Sequence, residues 1–259
     1  MDVIRLPQCK TERRPRLMTG PLRVVQVSED GRLFVGWDRQ AGKVILWDLE
    51  SQQRISEFPD FAVPEMSPSW SIPQRAAFSP DGRSLAYAST NFSIKIWDVA
   101  RRETVRSLDG HVWHIQTLRF SPDGRLLVTA GWDGMARVWD PSTGREMVPG
   151  LNHQTGIASV AFSADGRTIL TLGGDTQLHF WIAATGEESL GVTAGAAWFA
   201  HLLAADERAI AWDVGDGAMR TKIRRLPTLS EIDANLVATS QKLAVPDASG
   251  PSLQEAPVP

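Results

Sequence analysis

Short apolar runs recur along residues 22–225, each ended by a polar turn that carries glycine. Residues 112–150 show the pattern once through. Ile115 to Phe120 is an apolar-rich strand that runs into Ser121-Pro122-Asp123-Gly124. Proline presets φ at the first corner of that turn, aspartate binds nearby backbone N–H groups, and glycine accepts a left-handed conformation. Leu126 to Ala130 is a second short run, read as a buried strand. After the turn at Gly131-Trp132-Asp133-Gly134 comes MARVWD, where strict alternation sends Val138 and Trp139 to opposite faces. PSTGRE then turns the chain toward a weaker edge strand. The stretch predicts three or four short antiparallel strands and no long helix.

The unit repeats. VSEDGR (27–32), FSPDGR (78–83), FSPDGR (120–125) and FSADGR (162–167) place their aspartates at Asp30, Asp81, Asp123 and Asp165, spaced 51, 42 and 42 residues apart. Each is followed by a tryptophan, Trp47, Trp97, Trp139 or Trp181, at an offset of 17, 16, 16 and 16. Two independent markers holding one period predict a stack of equivalent β-units. A fifth unit is inferred from Asp206, 41 residues after Asp165, and from AIAWDVGDGAMRTKIRRL over 209–226. In that alignment Trp212-Asp213 ends the unit's second strand, although it spells the same dipeptide as the third-strand ends of earlier units.

These motifs resemble the WD-repeat family of β-propellers, and the resemblance covers roughly residues 22–225. The first three units end their third strand in Trp-Asp (ILWD, IKIWD, ARVWD), whereas the fourth reads HFWI, with Ile182 in place of the aspartate. Gly110-His111 and Asn152-His153 precede the third and fourth units. The resemblance implies an all-β propeller of about five four-stranded antiparallel blades. The family usually closes with six to eight blades, so the reading is an open or partial ring.

The resemblance also implies a structural tetrad of His, Ser/Thr, Asp and Trp. It falls on His111, Thr129, Asp133 and Trp139 in the third unit, and at the same spacing on His153, Thr171, Asp175 and Trp181 in the fourth. A buried indole N–H needs an acceptor, and a threonine hydroxyl that supplies one can pass the bond on to histidine. The second unit has Ser69, Tyr87 and Asn91 at these places, so no tetrad is expected there.

Composition narrows the function classes. Lys plus Arg is 27 against 30 for Asp plus Glu, too near balance for a nucleic-acid partner. The single cysteine, Cys9, excludes an intramolecular disulfide framework and a cysteine-based zinc site. With no signal-peptide core and no long apolar span, the expectation is a cytoplasmic protein without a membrane partner. No cofactor is expected. The five histidines show no metal-binding spacing, and no metal site is assigned.

Gly36 to Val44 imitates a phosphate loop, but it has five residues between its glycines instead of four and Val44 cannot ligand magnesium. His111, Thr129 and Asp133 have the chemistry of a hydrolase triad. Their recurrence in the next unit favours structural bonding, since a catalytic centre needs one copy.

Ten tryptophans against one tyrosine leave several rings beyond the repeated four. Trp113, Trp132 and Trp37 are assigned to loops that, in the family, form the partner-binding face. With His114, they are the candidate protein-binding residues, since tryptophan is favoured at interface hot spots. The resulting organisation is an N-terminal segment (1–20), an array over 21–227, and a short helix with a disordered tail (228–259). The units lie near 22–58, 72–108, 112–150, 154–191 and 195–227, with an extended insertion over 59–71.

The expected role is a protein-interaction scaffold, not an enzyme. The partner is not named by the sequence, and open blade edges predict self-association. Rival readings are an enzyme with a small-molecule site in the propeller channel and a non-functional fragment of a longer protein. In bacteria such arrays often belong to larger regulatory proteins, and no kinase motif occurs in these residues.

Overall fold

The computed structural model describes residues 22–38, 43–62, 75–175, 177–193, 197–202, 209–214 and 220–225. Expectations for Cys9, Ser69 and the C-terminal helix lie outside these residues. Twenty strands and no helix occur among the described residues.

The repeated turn has one chemistry in four places. The hydroxyls of Ser28, Ser79, Ser121 and Ser163 donate to Oδ1 of Asp30, Asp81, Asp123 and Asp165 at 2.5–2.6 Å. The same Oδ1 accepts the N–H of Arg32, Arg83, Arg125 or Arg167 at 2.9–3.0 Å. The glycines between them sit at φ from +68° to +72°, a left-handed conformation that glycine adopts without the Cβ penalty. Each turn therefore starts a second strand in fixed register.

The strands form antiparallel sheets in sequence order. The first holds β1 (Leu22–Val27), β2 (Leu33–Asp38), β3 (Lys43–Asp48) and β4 (Gln53–Phe58). The second holds β5 (Ala76–Phe78), β6 (Ser84–Ala88), β7 (Ile94–Asp98) and β8 (Glu103–Leu108). In the third, β9 (Ile115–Phe120), β10 (Leu127–Gly131) and β11 (Met135–Asp140) are followed by a broken edge. There β12 (Arg145–Glu146) and β13 (Leu151–Asn152) both pair with β11. Pro149 lies in the break, where a missing N–H interrupts the ladder. The fourth sheet is β14 (Ile157–Phe162), β15 (Thr168–Gly173), β16 (Gln177–Ile182) and β17 (Glu188–Thr193). The fifth has three strands, β18 (Ala197–Leu202), β19 (Ala209–Val214) and β20 (Arg220–Arg225).

The core lies between sheets. One buried cluster joins Leu33, Val35 and Leu46 to Phe78, Leu85 and Tyr87. A second joins Ala86, Ile94 and Ile96 to Leu118, Leu127 and Trp139. A third joins Val128, Ala136 and Val138 to Ile157, Val160 and Trp181. Both faces of a middle sheet are thus covered, which is why Val138 and Trp139 point apart yet are both buried.

Consecutive sheets meet at their first strands: β1 beside β5, β5 beside β9, β9 beside β14 and β14 beside β18. No packing of that extent brings β18 back to β1 among the described residues. The architecture is an all-β array of propeller blades that, over the described residues, does not close into a ring.

Of the extended insertion expected over 59–71, residues 59–62 are described. Phe61 is buried, stacks on Tyr87 at 5.7 Å and bridges to Ser89, so these residues pack on the second sheet. No helix among the described residues is long and apolar enough to cross a membrane.

Candidate protein-binding face

The bonded chain in the third sheet begins at an indole. Trp139 Nε1–H can only donate, and it gives its proton to Thr129 Oγ1 at 2.9 Å. The threonine proton is then free for His111 Nε2 at 2.8 Å, which leaves the His111 proton on Nδ1, 2.7 Å from Asp133 Oδ2. All four side chains are brought together, and Thr129 is fully buried. Burial pushes the Asp133 carboxyl up, but the hydrogen bond from His111 and the N–H groups of Met135 and Val112 outweigh it. The net pKa lies below the ordinary value.

Asp133 also builds the adjoining loop. Its Oδ2 accepts Val112 N–H at 3.2 Å and its Oδ1 accepts Met135 N–H at 3.2 Å. Next to it, Trp132 N–H donates to the His114 carbonyl at 2.9 Å. Gly131 permits this approach, since a Cβ there would stand 2.4 Å from the His114 oxygen. The loop at 112–114 is therefore tied to the turn at 131–134 at both ends.

What that pairing presents is aromatic. Trp113 and Trp132 meet edge to face at 6.2 Å and remain 52% and 51% exposed. His114 meets Trp132 edge-on at 5.9 Å, and Phe92, from the turn of the second sheet, meets His114 at 5.1 Å. Val112 beside them is 78% exposed. The base of Trp132 lies over Gly156 of the next unit, where a Cβ would come within 3.2 Å of its Cα. Three of the four candidate residues thus share one surface.

Trp37 does not join them. It was assigned to a loop, but it lies within β2, paired in register with Val44, and it packs half-buried on the core between the first two sheets. The six-residue strand extends one turn further than the Gly-Trp-Asp spelling suggested, because Asp38 pairs with Lys43.

The fourth sheet departs from the third. Trp181 Nε1–H reaches Thr171 Oγ1 at 2.7 Å, and Thr171 reaches His153 Nε2 at 2.6 Å. The last link differs: His153 Nδ1 is buried with no partner among the described residues, and Asp175 Oδ1 accepts Gln177 N–H instead. Burial, then the neighbouring His179, push His153 down to about 4. The equal spacing in the two units therefore does not give equal bonding.

In the second sheet, sequence reasoning missed a substitute. Asp60 accepts the Tyr87 hydroxyl and the Ser89 hydroxyl, each at 3.1 Å, and its carbonyl accepts Thr90 N–H at 2.8 Å. Burial, with Asp60 adding to it, holds the Tyr87 phenol well above its usual pKa. Asp60 comes from the start of the 59–71 insertion and has no counterpart in the repeat, so spacing gave no signal for it. Among the described residues, the buried indole N–H groups of Trp47 and Trp97 have no partner.

Comparison with known proteins agrees with this architecture. The family model "WD domain, G-beta repeat" matches residues 73–98, 102–140 and 148–181. No curated protein matches the sequence. Among solved structures, a chain in a crystal structure of the mitotic checkpoint complex is similar in fold, with a TM-score of 0.62 and 23% sequence identity. The similarity covers 78% of the present chain and 60% of that one.

Proposed function

The chain belongs to the WD-repeat family, and on that premise we propose that it is a protein-binding scaffold working through the loop face of its third blade. The observation that carries this reading is the pair of half-exposed tryptophans, Trp113 and Trp132, in edge-to-face contact beside Phe92, His114 and Val112. Solvent-facing aromatic clusters of this kind are unusual on a surface that has no partner. The cluster stands on a buried hydrogen-bonded base, so its rings are pre-organised and lose little freedom on binding. No catalytic role is assigned to His111, Thr129 and Asp133, whose exchangeable protons are all committed to one another.

A double variant, Trp113→Ala with Trp132→Ala, tests the reading. Interface anchors are worth about 2 kcal/mol or more each, roughly a thirtyfold change in Kd. The double variant should lose the protein captured by the wild-type chain while its melting profile stays nearly the same. Equal capture by both forms would contradict the proposal.

A second reading, association through the ends of the array, is favoured by the unclosed ring. Uncovered sheet faces invite a second copy or a blade-supplying partner. Concentration-dependent sedimentation of the purified chain would support it, and a monodisperse monomer would oppose it. The rival of a channel enzyme draws less support. Strand β5 is buried alanine and phenylalanine, and the buried Arg75 beside it is occupied by the Ala62 carbonyl and by Gln116 of β9.

A further inference from the structure

The orphaned nitrogen of His153 faces a group of side chains that the third sheet lacks. His153, Asp175 and His179 each offer one ligand atom, and these atoms all lie within 4.8 Å of one another. His153 is 95% buried by its 5% exposure, while Asp175 and His179 are half-buried, which leaves a path from solvent. The two imidazoles meet edge to face at 4.4 Å.

The cause is one replacement on the third strand of the sheet. Thr171 pairs with His179 as Thr129 pairs with Arg137. Arg137 spans to Glu146 at 2.8 Å, and His179 Nδ1 bonds Glu188 at 2.6 Å in the equivalent place. Exchanging a guanidinium for a second imidazole converts an ion pair into a His-Asp-His group. Gly173 keeps the space open: a Cβ there would fall 2.4 Å from Asp175 Oδ1 and 2.7 Å from His153 Nδ1.

We propose that His153, Asp175 and His179 bind a divalent transition-metal ion of the zinc type, with Glu188 orienting His179. Two imidazole nitrogens and one carboxylate oxygen are a common donor set for zinc, leaving a fourth position for water. His179 commits Nδ1 to Glu188 and so presents Nε2, the carboxylate–histidine arrangement that fixes a ligating ring. A metal on His153 Nδ1 places the ring proton on Nε2, where Thr171 Oγ1 accepts it.

The test uses the full chain, stripped with chelator and titrated with Zn²⁺ and, for spectroscopy, Co²⁺. One ion per chain should bind, Co²⁺ should show the visible bands of a low-symmetry four-coordinate centre, and Zn²⁺ should raise the melting temperature. His179→Arg restores the residue that the third sheet carries, so it is expected to fold and to lose at least tenfold in affinity. Cys9→Ser should bind as the wild type does, separating this group from a thiol site. Failure of the wild type to take up one equivalent, or equal affinity in His179→Arg, would overturn the proposal. If His179→Arg does not fold, the Co²⁺ spectrum of the wild type decides: octahedral, water-like bands would overturn it.

Discussion

Asp133 serves two circuits with one carboxylate. It ends the chain of bonds from Trp139, and it holds the backbone of the loop that carries Trp113 and His114. Replacing it with alanine strands the His111 Nδ1–H and the Val112 N–H, a loss of roughly 1–3 kcal/mol. Asp175 accepts only the Gln177 N–H among the hydrogen bonds of its carboxylate, so Asp175→Ala should cost less, about 0.5–1.5 kcal/mol. Urea melts of the two variants with chelator present should rank them in that order, and equal losses would contradict the difference drawn between the sheets. Sequence spacing could not have shown this difference, because both units carry the same four residues at the same offsets.

The turn carboxylates make a separate, pH-dependent contribution. Asp81, Asp123 and Asp165 are lowered first by the serine hydroxyl that each accepts, and Asp133 is lowered on balance as described. Their folded-state values lie below the ordinary 3.8, so the unfolded chain takes up protons first as the solution is acidified. Their stabilisation is complete above about pH 4 and is lost as the pH falls through the depressed values. Urea midpoints measured from pH 7 to pH 3 should therefore drop at the acid end, and Asp123→Asn should flatten that drop. An unchanged slope in the variant would count against the linkage.

At the scale of elements, the repeated turns and the strands they start were readable because each depends on a few adjacent residues. Ser-x-Asp-Gly closes its own hydrogen bonds, and the tryptophan 16 residues on marks the third strand wherever the loop between is short. The first unit has a longer spacing, and there the loop assignment of Trp37 failed: extra ladder pairs drew the residue into β2. Asp60 and the His153–Asp175–His179 group were hidden for another reason. Both arise from residues brought together across strands or from outside the repeat, so no local spacing encodes them. The glycines separate the two kinds of constraint. Gly82→Ala meets no atom within 4 Å and should cost only the left-handed strain, about 1–2 kcal/mol. Gly131→Ala must move the His114 backbone, so it should cost more than Gly82→Ala in a melt and also weaken partner capture. Equal melts and unchanged capture would show that the loop is not held as described.

The whole molecule is a set of sheets that stabilise one another in sequence. The second and third sheets are covered on both faces, and among the described residues the ends of the array are not joined. Neither the core nor the turns distinguish one blade from another as a binding surface. Among the described residues only the third blade pairs an intact bonded base with an exposed aromatic cluster, and this asymmetry makes the proposed face specific. Hydrogen exchange on the chain, alone and with the protein it captures, reads that choice directly along the backbone. The scaffold account predicts new protection concentrated at residues 111–114 and 131–134, with the turn at Phe92 next. Protection confined to β1 and β18–β20, with these loops exchanging as freely as in the chain alone, would contradict it.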